Sequence, residues 1–428
     1  MRDDHFSGVS ANEKRNRDSS EIAVRDEFNR QHPPTTGLVV SHDLRKVELP
    51  ERPWRNNRGH YSRVAAVVSS SIALSIVLAA CGGSPTASPG ESDTAQQSKA
   101  VAVYERFNAL SGTARTDELV KCAEEEGELS IYTSNNDIDV LVKGFEDLYD
   151  IKASAYRANS ETVLQRILQE QKAKYYGNDV IETNAAEMNI LNNESLFFPY
   201  EGELRDSVRK EGQKENWTAN RFNAFVVGWN TDLVKPGEEP KTFEDLADPK
   251  WKGKLSMEIG DVDWYTALHE YWKSEGKTQE QVDALFSGIV ANSKIAKGHT
   301  VQVELMAAGQ FAVSMSSYSS SVDNAAREGA PVAWKSAQGR AVEPIVVRAN
   351  GVGLMKDASN PCAAALFIDF ALTGGQKLLE KVMRIPSVLG GFDPLEGLKV
   401  IEVPEEELLA NSKVWSDKYA ELTQKGSK

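Results

Sequence analysis

The sequence of 428 residues is poor in the residue types on which most catalytic and metal sites depend. It has three cysteines and six histidines, and only His269 and His299 lie after residue 81. The motifs HExxH, paired CxxC, GxSxG and GxxxxGK[ST] are absent. Neither histidine has a serine and an acidic partner at a spacing that indicates a catalytic triad. These absences disfavour an enzyme and indicate no cofactor.

Positive charge is also scarce. After residue 81 the chain carries 37 Lys and Arg against 53 Asp and Glu, a net charge of −16. A nucleic-acid partner needs a basic surface that displaces counterions from phosphates, so we expect no such partner. A small anionic ligand is compatible with this charge, because a local pocket can oppose the global sign.

Long uncharged apolar runs are rare, and the most informative one covers residues 64–80. It directly follows Arg63 and ends at Cys81. The run is short for a bilayer crossing but suits the apolar core of a signal peptide. The Leu-Ala-Ala before Cys81 resembles the bacterial lipobox, in which a peptidase cuts before a lipid-modified cysteine. The alternative is a membrane-spanning helix with a buried cysteine.

The N-terminal part therefore divides into three predicted segments. Residues 1–60 lack periodicity and are expected to be a disordered extension or the product of a misassigned start. Residues 61–80 are predicted as the lipoprotein signal peptide. Residues 81–115 are predicted as the lipidated cysteine and a flexible tether, since 82–99 are rich in Gly, Ser and Pro. This arrangement predicts an extracytoplasmic protein anchored by lipid to the cell membrane.

From residue 116 onward, short β-rich runs alternate with amphipathic helical ones, which predicts an α/β fold. The predicted strands are Leu129–Tyr132, Ile151–Tyr156, Asp179–Glu182, Phe225–Trp229, Lys254–Glu258, Phe311–Met315 and Val352–Met355. Ser160 is predicted as the N-cap of one helix. Thr278 and Gln281 are predicted to form a capping box at the start of another.

Seven segments, read in order, resemble blocks of the extracellular solute-binding proteins of ABC importers, in the group that includes ferric-iron binders. The resemblance covers roughly residues 117–390. Its clearest blocks are "GELSIYTSNNDIDVLVKGFEDLYD", "FVVGWNTDLVKP", "TFEDLADPKWKGKLSM", "KGHTVQVELMAAGQFAVSMSSY", "REGAPVAW" and "NPCAAALFIDFALTGGQKLL".

The resemblance implies a two-lobed type II periplasmic-binding-protein fold with a hinge and an interlobe ligand cleft. The first lobe should comprise residues 116–230 and 345–395, and the second lobe residues 231–344. Residues 396–428 should be a helical segment whose lobe is left open. The implied protein is a monomeric receptor that delivers a small molecule or ion to importer permease subunits.

In such a fold the ligand lies among strand ends and helix N-termini, whose free N–H groups favour anions. Arg157 and Tyr318 are the strongest candidates, because they offer a planar donor fork and a hydroxyl on a stacking face. The full set of ligand candidates is Thr133, Ser134, Asn135, Arg157, Ser160, Thr183, Asn184, Asp261, Asp263, Trp264, His299, Thr300, Ser317, Tyr318 and Ser319.

The sequence departs from the ferric binders where the family's two adjacent tyrosines would lie. Here Tyr318 is followed by Ser319, and Asn184 stands where a Glu ligates iron in some members. A hard trivalent cation prefers several anionic oxygens. We therefore expect a small organic or oxyanionic solute and no resident metal. Ferric iron, with Tyr318 as a ligand, is the alternative, and a surface hydrolase on this scaffold is a weaker one.

Two cysteines are left once Cys81 carries lipid. In the implied topology, Cys122 precedes the first strand and Cys362 follows the returning strand, so both fall at the end of the first lobe far from the ligand. Outside the cytoplasm an apposed pair would oxidise. The two readings left open are a Cys122–Cys362 disulfide and two separate buried thiols.

Overall fold

The computed structural model describes residues 91–426. The predicted extension, signal peptide and Cys81 lie outside these described residues. The helices are, in chain order, α1 (Glu91–Asn108), α2 (Gly112–Glu126), α3 (Ile138–Glu146), α4 (Ser160–Lys172), α5 (Ala185–Asn193), α6 (Glu203–Asp206), α7 (Val262–Ser274), α8 (Gln279–Ala291), α9 (His299–Ala307), α10 (Ser319–Arg327), α11 (Pro361–Ala371), α12 (Gly374–Lys381), α13 (Glu405–Ala410) and α14 (Ser412–Gly426).

The strands alternate with these helices, as the sequence pattern predicts. They are β1 (Glu128–Thr133), β2 (Lys152–Arg157), β3 (Val180–Asn184), β4 (Phe197–Phe198), β5 (Thr218–Asn230), β6 (Leu255–Glu258), β7 (Ser293–Ala296), β8 (Val313–Tyr318), β9 (Val332–Ala333), β10 (Ile345–Met355), β11 (Ile385–Pro386) and β12 (Val400–Glu402). Each of the seven predicted strands overlaps an observed one, so the α/β prediction is confirmed.

The main strands form one mixed sheet in the order β2-β1-β3-β10-β5-β8-β6-β7. The first three strands run parallel to each other, and so do β8, β6 and β7. The two long strands β5 and β10 lie between these groups and pair antiparallel with each other and with their neighbours. We call β1–β3 with α2–α5, α11 and α12 the first lobe, β6–β8 with α7–α10 the second lobe, and β5 and β10 the hinge strands.

The hinge strands are buried along their whole length. All residues of β5 and β10 are buried, which is typical of strands covered on both faces. Gly351 of β10 permits close packing, because a Cβ there would lie 2.4 Å from a ring carbon of Trp217. The central strands therefore form a tightly packed connection between the lobes.

The C-terminal segment packs on the second lobe. Trp415 and Tyr419 of α14 belong to the core that Trp264 and Phe286 build beneath β6 and β8, and the Tyr419 hydroxyl donates to the Glu258 carbonyl. A second core fills the first lobe and continues along one sheet face to α9 and α10. The sequence analysis left the lobe of residues 396–428 open. In the structure, α14 of this segment belongs to the second lobe.

The predicted tether is wrong for its described part. Residues 91–108 form α1, whose Ala100, Tyr104 and Phe107 are buried in the first-lobe core. The Tyr104 hydroxyl donates to the Met355 carbonyl at 3.0 Å. The apolar residues of α1 recur at three- and four-residue spacing, the period of one helix face. The tether was predicted from the Gly, Ser and Pro content of residues 82–99. That composition says nothing about the helical period of the residues that follow.

The two helix starts that the sequence predicted have different outcomes. The capping box of Thr278 and Gln281 is confirmed, with both hydrogen bonds present. Ser160 is not an N-cap, because Asn159 occupies that position and its side chain accepts from the Thr162 backbone N–H at 2.9 Å. Asn caps a helix as well as Ser does, so the pattern alone did not separate the two residues.

No single helix among residues 91–426 is long and apolar enough to cross a bilayer. The bent pair α11 and α12 meets the length and composition requirement only when both are counted together. All residues of α11 are buried within the protein.

The first lobe is closed by a disulfide between Cys122 of α2 and Cys362 of α11. Their Cα atoms are 5.7 Å apart, inside the range for such a bond. Beside the disulfide, the Glu126 carboxylate accepts from the backbone N–H groups of Cys362 and Ala363, at 3.2 and 2.9 Å. A carboxylate at a helix N-terminus is electrostatically favourable. Both contacts join α2 to α11.

We expect the variant Cys122→Ser, Cys362→Ser to unfold at lower denaturant concentration than the parent protein, with a loss of about 2–5 kcal/mol. The physical reason is the release of a crosslink that spans 240 residues of sequence. Urea unfolding followed by circular dichroism measures the change. Two free thiols in the denatured, unreduced parent protein, or an unchanged unfolding midpoint in the variant, would contradict the prediction.

Candidate functional site

The parallel strands of the first lobe and those of the second lobe run toward each other, and their carboxyl ends meet beside the hinge strands. In the first lobe, β3 ends at Asn184, which pairs with Asn350 of β10. In the second lobe, β8 ends at Tyr318, which pairs with Phe225 of β5. Since Phe225 itself pairs with Val346, the two strand ends are four residues apart along β10, or about 13 Å.

This gap is the interlobe cleft. Parallel strands end at the same sheet edge, so the helices that follow β1, β2 and β3 begin on one side of the gap. The helices that follow β6, β7 and β8 begin on the other side. The hinge row at the centre of the gap pairs Asn223 with Arg348. Helix N-termini from both lobes therefore face a common space, as in other open α/β proteins.

Arg348 is the central side chain of this space. It is 7% exposed and donates through Nη1 to Asp263 and through Nη2 to the Tyr318 hydroxyl. The Tyr318 ring stacks on His299 with centroids 3.8 Å apart. His299 Nε2 in turn lies 2.8 Å from Asp261 Oδ1. We call these five residues the Arg348 cluster.

The Arg348 cluster contains buried polar groups without partners. Arg348 Nε and Asp261 Oδ2 make no hydrogen bond within the described residues. Burial raises the pKa of Tyr318 well above its usual value, although the charge of Arg348 acts in the opposite direction. The phenol is therefore neutral at physiological pH. Other described residues, among them Arg221 through its Nε, also have unpartnered buried groups, and each calls for an explanation such as a bound ion or water.

Arg384, which follows α12, joins both lobes to the hinge. Its Nε lies 2.7 Å from Asp137 Oδ2 at the start of α3. Its Nη1 donates to Asn223 Oδ1 at 3.2 Å and to Ser320 Oγ of α10 at 3.1 Å. One buried guanidinium thus contacts the first lobe, the hinge strand and the second lobe.

Asn136 forms a second contact between the lobes. Its Nδ2 donates to Thr300 Oγ1 of α9 at 2.9 Å, and its Oδ1 accepts from Arg157 at the end of β2. Arg157 is exposed, so its guanidinium is accessible to solvent beside the Asn136–Thr300 contact. These contacts describe a conformation in which the lobes touch at the cleft edge.

The remaining first-lobe candidates lie in a hydrogen-bonded layer beneath the cleft. Thr133 Oγ1 donates to Glu182 Oε2 at 2.8 Å, and Asn135 Nδ2 donates to Glu182 Oε1 at 3.2 Å. Glu182 is fully buried and is also paired with Arg221. This network leaves Thr133 and Asn135 little freedom to contact a ligand, so they support the turn after β1.

Ser134 and Asn184 lie nearer to the cleft surface. The Ser134 hydroxyl is 3.0 Å from that of the buried Thr183, and Asn184 Oδ1 accepts from Asn350 at 2.8 Å. Ser160, in the first turn of α4, is half-buried and hydrogen-bonds Glu187 of α5.

Two second-lobe candidates do not reach the cleft. Trp264 is fully buried in the second-lobe core against Phe243 and Phe286. Ser317 is fully buried, and its hydroxyl bonds Ser314 at 2.6 Å; alternation along β8 turns it away from the face of Tyr318. Ser319 starts α10 and is 1% exposed.

Sequence reasoning missed the two arginines that organise the cleft. Arg348 is the charged residue of the mainly apolar strand β10. A charge in a buried strand needs a partner, and this requirement can indicate a functional site. That signal was readable, but the strand was predicted only from Val352. Arg384 gave no such signal, because it lies in a connection between α12 and β11.

The family model described as bacterial extracellular solute-binding protein matches residues 186–397. This range contains both hinge strands and the whole second lobe. The match spans just under half of the chain, and over this range the chain is similar to the bacterial extracellular solute-binding proteins. The protein is a solute-binding receptor of an ABC importer, and the similarity indicates a location outside the cytoplasm.

Curated relatives and solved structures agree with this assignment. Iron uptake protein A1 of Synechocystis sp. is 25% identical over 267 residues, which cover 58% of this chain and 72% of the relative. Iron-bound HitA from Pseudomonas aeruginosa has a TM-score of 0.58 at 17% identity, covering 70% of this chain and 99% of its own. AfuA from Actinobacillus pleuropneumoniae, with fructose-6-phosphate bound, has a TM-score of 0.60 at 22% identity, with coverage of 70% and 99%. The structures establish the two-lobed fold.

We expect Arg384→Lys to shift the unliganded receptor toward open conformations. Lysine keeps the charge but cannot reach Asp137, Asn223 and Ser320 together. A hydrogen bond to a charged group is worth about 1.5–3 kcal/mol, so the ratio of closed to open molecules should fall about tenfold or more. Small-angle X-ray scattering should show a larger radius of gyration. The control Arg327→Lys alters an exposed arginine that donates to the Lys381 carbonyl, and equal radii for the two variants would contradict the prediction.

Proposed function

We propose that this receptor captures a small oxyanionic organic solute in the cleft and releases it unchanged. The observation that carries the proposal is Arg348, a buried guanidinium on the hinge row with an unsatisfied Nε. It lies between helix N-termini of both lobes, which favour negative charge. A planar donor fork suits carboxylate, phosphate and related groups.

The proposed binding residues come from both lobes. The first lobe offers the exposed guanidinium of Arg157 and the side chains of Ser134 and Asn136. The second lobe offers Tyr318 and His299, beside the N-termini of α9 and α10. Closing the lobes would bring these donors around one anion and exclude water, which strengthens each polar contact.

Charge pairing explains how anion binding is compatible with an acidic chain. Within the described residues, Asp263 pairs with Arg348, Asp137 with Arg384 and Glu182 with Arg221. These pairs compensate three acidic side chains close to the hinge, while Asp261 pairs with His299 and Glu187 lies within the field of Arg348. The helix N-termini and Arg157 add positive potential to the cleft.

Ferric iron is the second candidate. The curated relatives include proteins named for iron uptake, and Tyr318 lies beside His299 and Asp261. The donor set fits Fe(III) poorly, because there is one phenol rather than two. Its pKa is raised by burial and its oxygen accepts from Arg348. Hard cations prefer several anionic oxygens.

Calorimetric titration of the purified protein with phosphate, sulfate, acetate, a sugar phosphate and ferric citrate should show saturable binding of an oxyanion. Arg157→Ala should weaken that binding about tenfold, since a charged hydrogen bond contributes about 1.5 kcal/mol or more. Its unliganded melting temperature should hardly change, because Arg157 is exposed.

The matched control is Arg340→Ala, which removes the same charge from an exposed residue that makes no contact with the cleft residues described above. It should bind like the parent protein. Stoichiometric binding of Fe(III) with no response to any oxyanion would reject the proposal in favour of the iron alternative. Consumption of the bound solute would make the protein an enzyme.

We also propose that the receptor is anchored to the membrane by lipid on Cys81. The support is the uncharged run that precedes this cysteine and the family's location outside the cytoplasm. The chain between Cys81 and the folded part would be short, because α1 already packs on the first lobe.

Since the thioether forms on the cysteine sulfur, Cys81→Ser should abolish incorporation of a radiolabelled fatty acid and leave precursor or shed protein. The control is Cys122→Ser, which should keep the label because that residue lies in the folded part. Incorporation of the radiolabelled fatty acid into Cys81→Ser would show that the prediction of a lipobox is wrong.

A further inference from the structure

A cavity of about 90 Å³ opens beside the Arg348 cluster. Arg348 and Asp263 form part of its lining, so it is continuous with the site described above. One wall is the start of α5, with Ala186 and Ile190. The opposite wall is the C-terminal segment, with Leu408 and Leu409 of α13. We call this cavity the side pocket.

The walls of the side pocket are mainly apolar, and its polar residues are mostly paired. Asn189 Nδ2 donates to Glu405 Oε2 at 3.3 Å, and Glu405 also pairs with Lys214 at 2.9 Å. The exposed Ile190 and Leu409 leave apolar surface at its entrance. By contrast, Arg348 Nε has no partner among the described residues. The pocket thus combines an apolar wall with one unpartnered N–H of Arg348, whose guanidinium is otherwise paired with Asp263.

The side pocket is built from parts that lobe movement would separate. Its α5 wall belongs to the first lobe, and Asp263 begins α7 of the second lobe. The α13 wall is fixed to the hinge, because the Val403 N–H donates to the Val347 carbonyl at 3.2 Å. A group that fills the pocket would therefore contact both lobes and the hinge strand at once.

We propose that the solute of this receptor is an organic anion with a short aliphatic part. Its oxyanionic group binds at the Arg348 cluster and its aliphatic part fills the side pocket. This inference rests on the oxyanion function proposed above and specifies the class of solute. An apolar cavity of about 150 Å³ accepts benzene, so this smaller pocket should hold a chain of about four carbon atoms.

Titration of the full chain with two homologous series, n-alkanoates and n-alkylphosphonates of one to eight carbons, tests the inference. Affinity should rise about fourfold for each added methylene, the fold-change that corresponds to about 0.8 kcal/mol per buried CH₂. The rise should stop when the pocket is full. Isothermal calorimetry gives the dissociation constants.

Ala186→Leu should abolish the rise, because the larger side chain occupies the pocket. Leu409→Ser, at an exposed position of the other wall, should reduce it and provides a second variant if the first does not fold. The matched control Ala291→Leu enlarges an exposed alanine at the end of α8 and should keep the parent's chain-length dependence.

The possible outcomes separate a failure of the side-pocket inference from a failure of the proposed oxyanion-binding function. If the shortest anions bind and longer chains add nothing, the side pocket is not a subsite, while the oxyanion function stands. If the rise persists unchanged in both pocket variants, the aliphatic part binds elsewhere and the inference is wrong. If no member of either series binds but a sugar phosphate or an inorganic oxyanion does, the inference fails and the oxyanion function stands. If no oxyanion binds, or only Fe(III) binds, the proposed function and the inference both fail.

Discussion

The antiparallel pairing of β5 with β10 is the interaction on which the rest of this structure depends. These two strands run from one lobe into the other, and each lobe attaches its own parallel strands to one end of the pair. The antiparallel register points the carboxyl ends of both strand sets at the Asn223–Arg348 row. The cleft is therefore a direct consequence of hydrogen-bond register, and the helix N-termini converge there because helices follow strand ends.

Burial at the hinge determines which charges the cleft can hold. An isolated ion in such surroundings would be very unfavourable, and most buried charges close to the hinge have an opposite partner. Arg348 and Arg384 act differently within this arrangement. Arg348 keeps an unsatisfied donor beside the cleft, whereas Arg384 uses its donors to contact both lobes and the hinge. The first arrangement suits recognition of a solute, and the second suits control of closure.

Two terminal segments stabilise the lobes away from the cleft. At one end of the chain, α1 packs in the first-lobe core, and the Cys122–Cys362 disulfide joins α2 to α11. At the other end, β12 pairs with the hinge strand, α13 lies against α5, and α14 packs on the second lobe. The C-terminal segment therefore touches both lobes and the hinge, which explains how it comes to line the side pocket.

The sequence by itself determined the elements, because hydrophobic periodicity and capping residues act over a few neighbouring positions. It gave the alternation of strands and helices, the capping box at Thr278, and the order of blocks that resembles the solute-binding family. It also placed Tyr318, His299 and Asp261 at strand ends. Local patterns of this kind depend on side chains three or four residues apart, so one sequence is enough to read them.

Only the tertiary structure decided which of these side chains meet. Arg348 and Tyr318 are in contact because β10 and β8 pair with opposite sides of β5, and this pairing is set by packing between segments far apart in the chain. Packing between distant segments also places Trp264 in the second-lobe core, because the first turn of α7 directs its side chain there. The packing of α1, the contacts of Arg384 and the side pocket likewise depend on residues more than sixty positions apart, where periodicity carries no information.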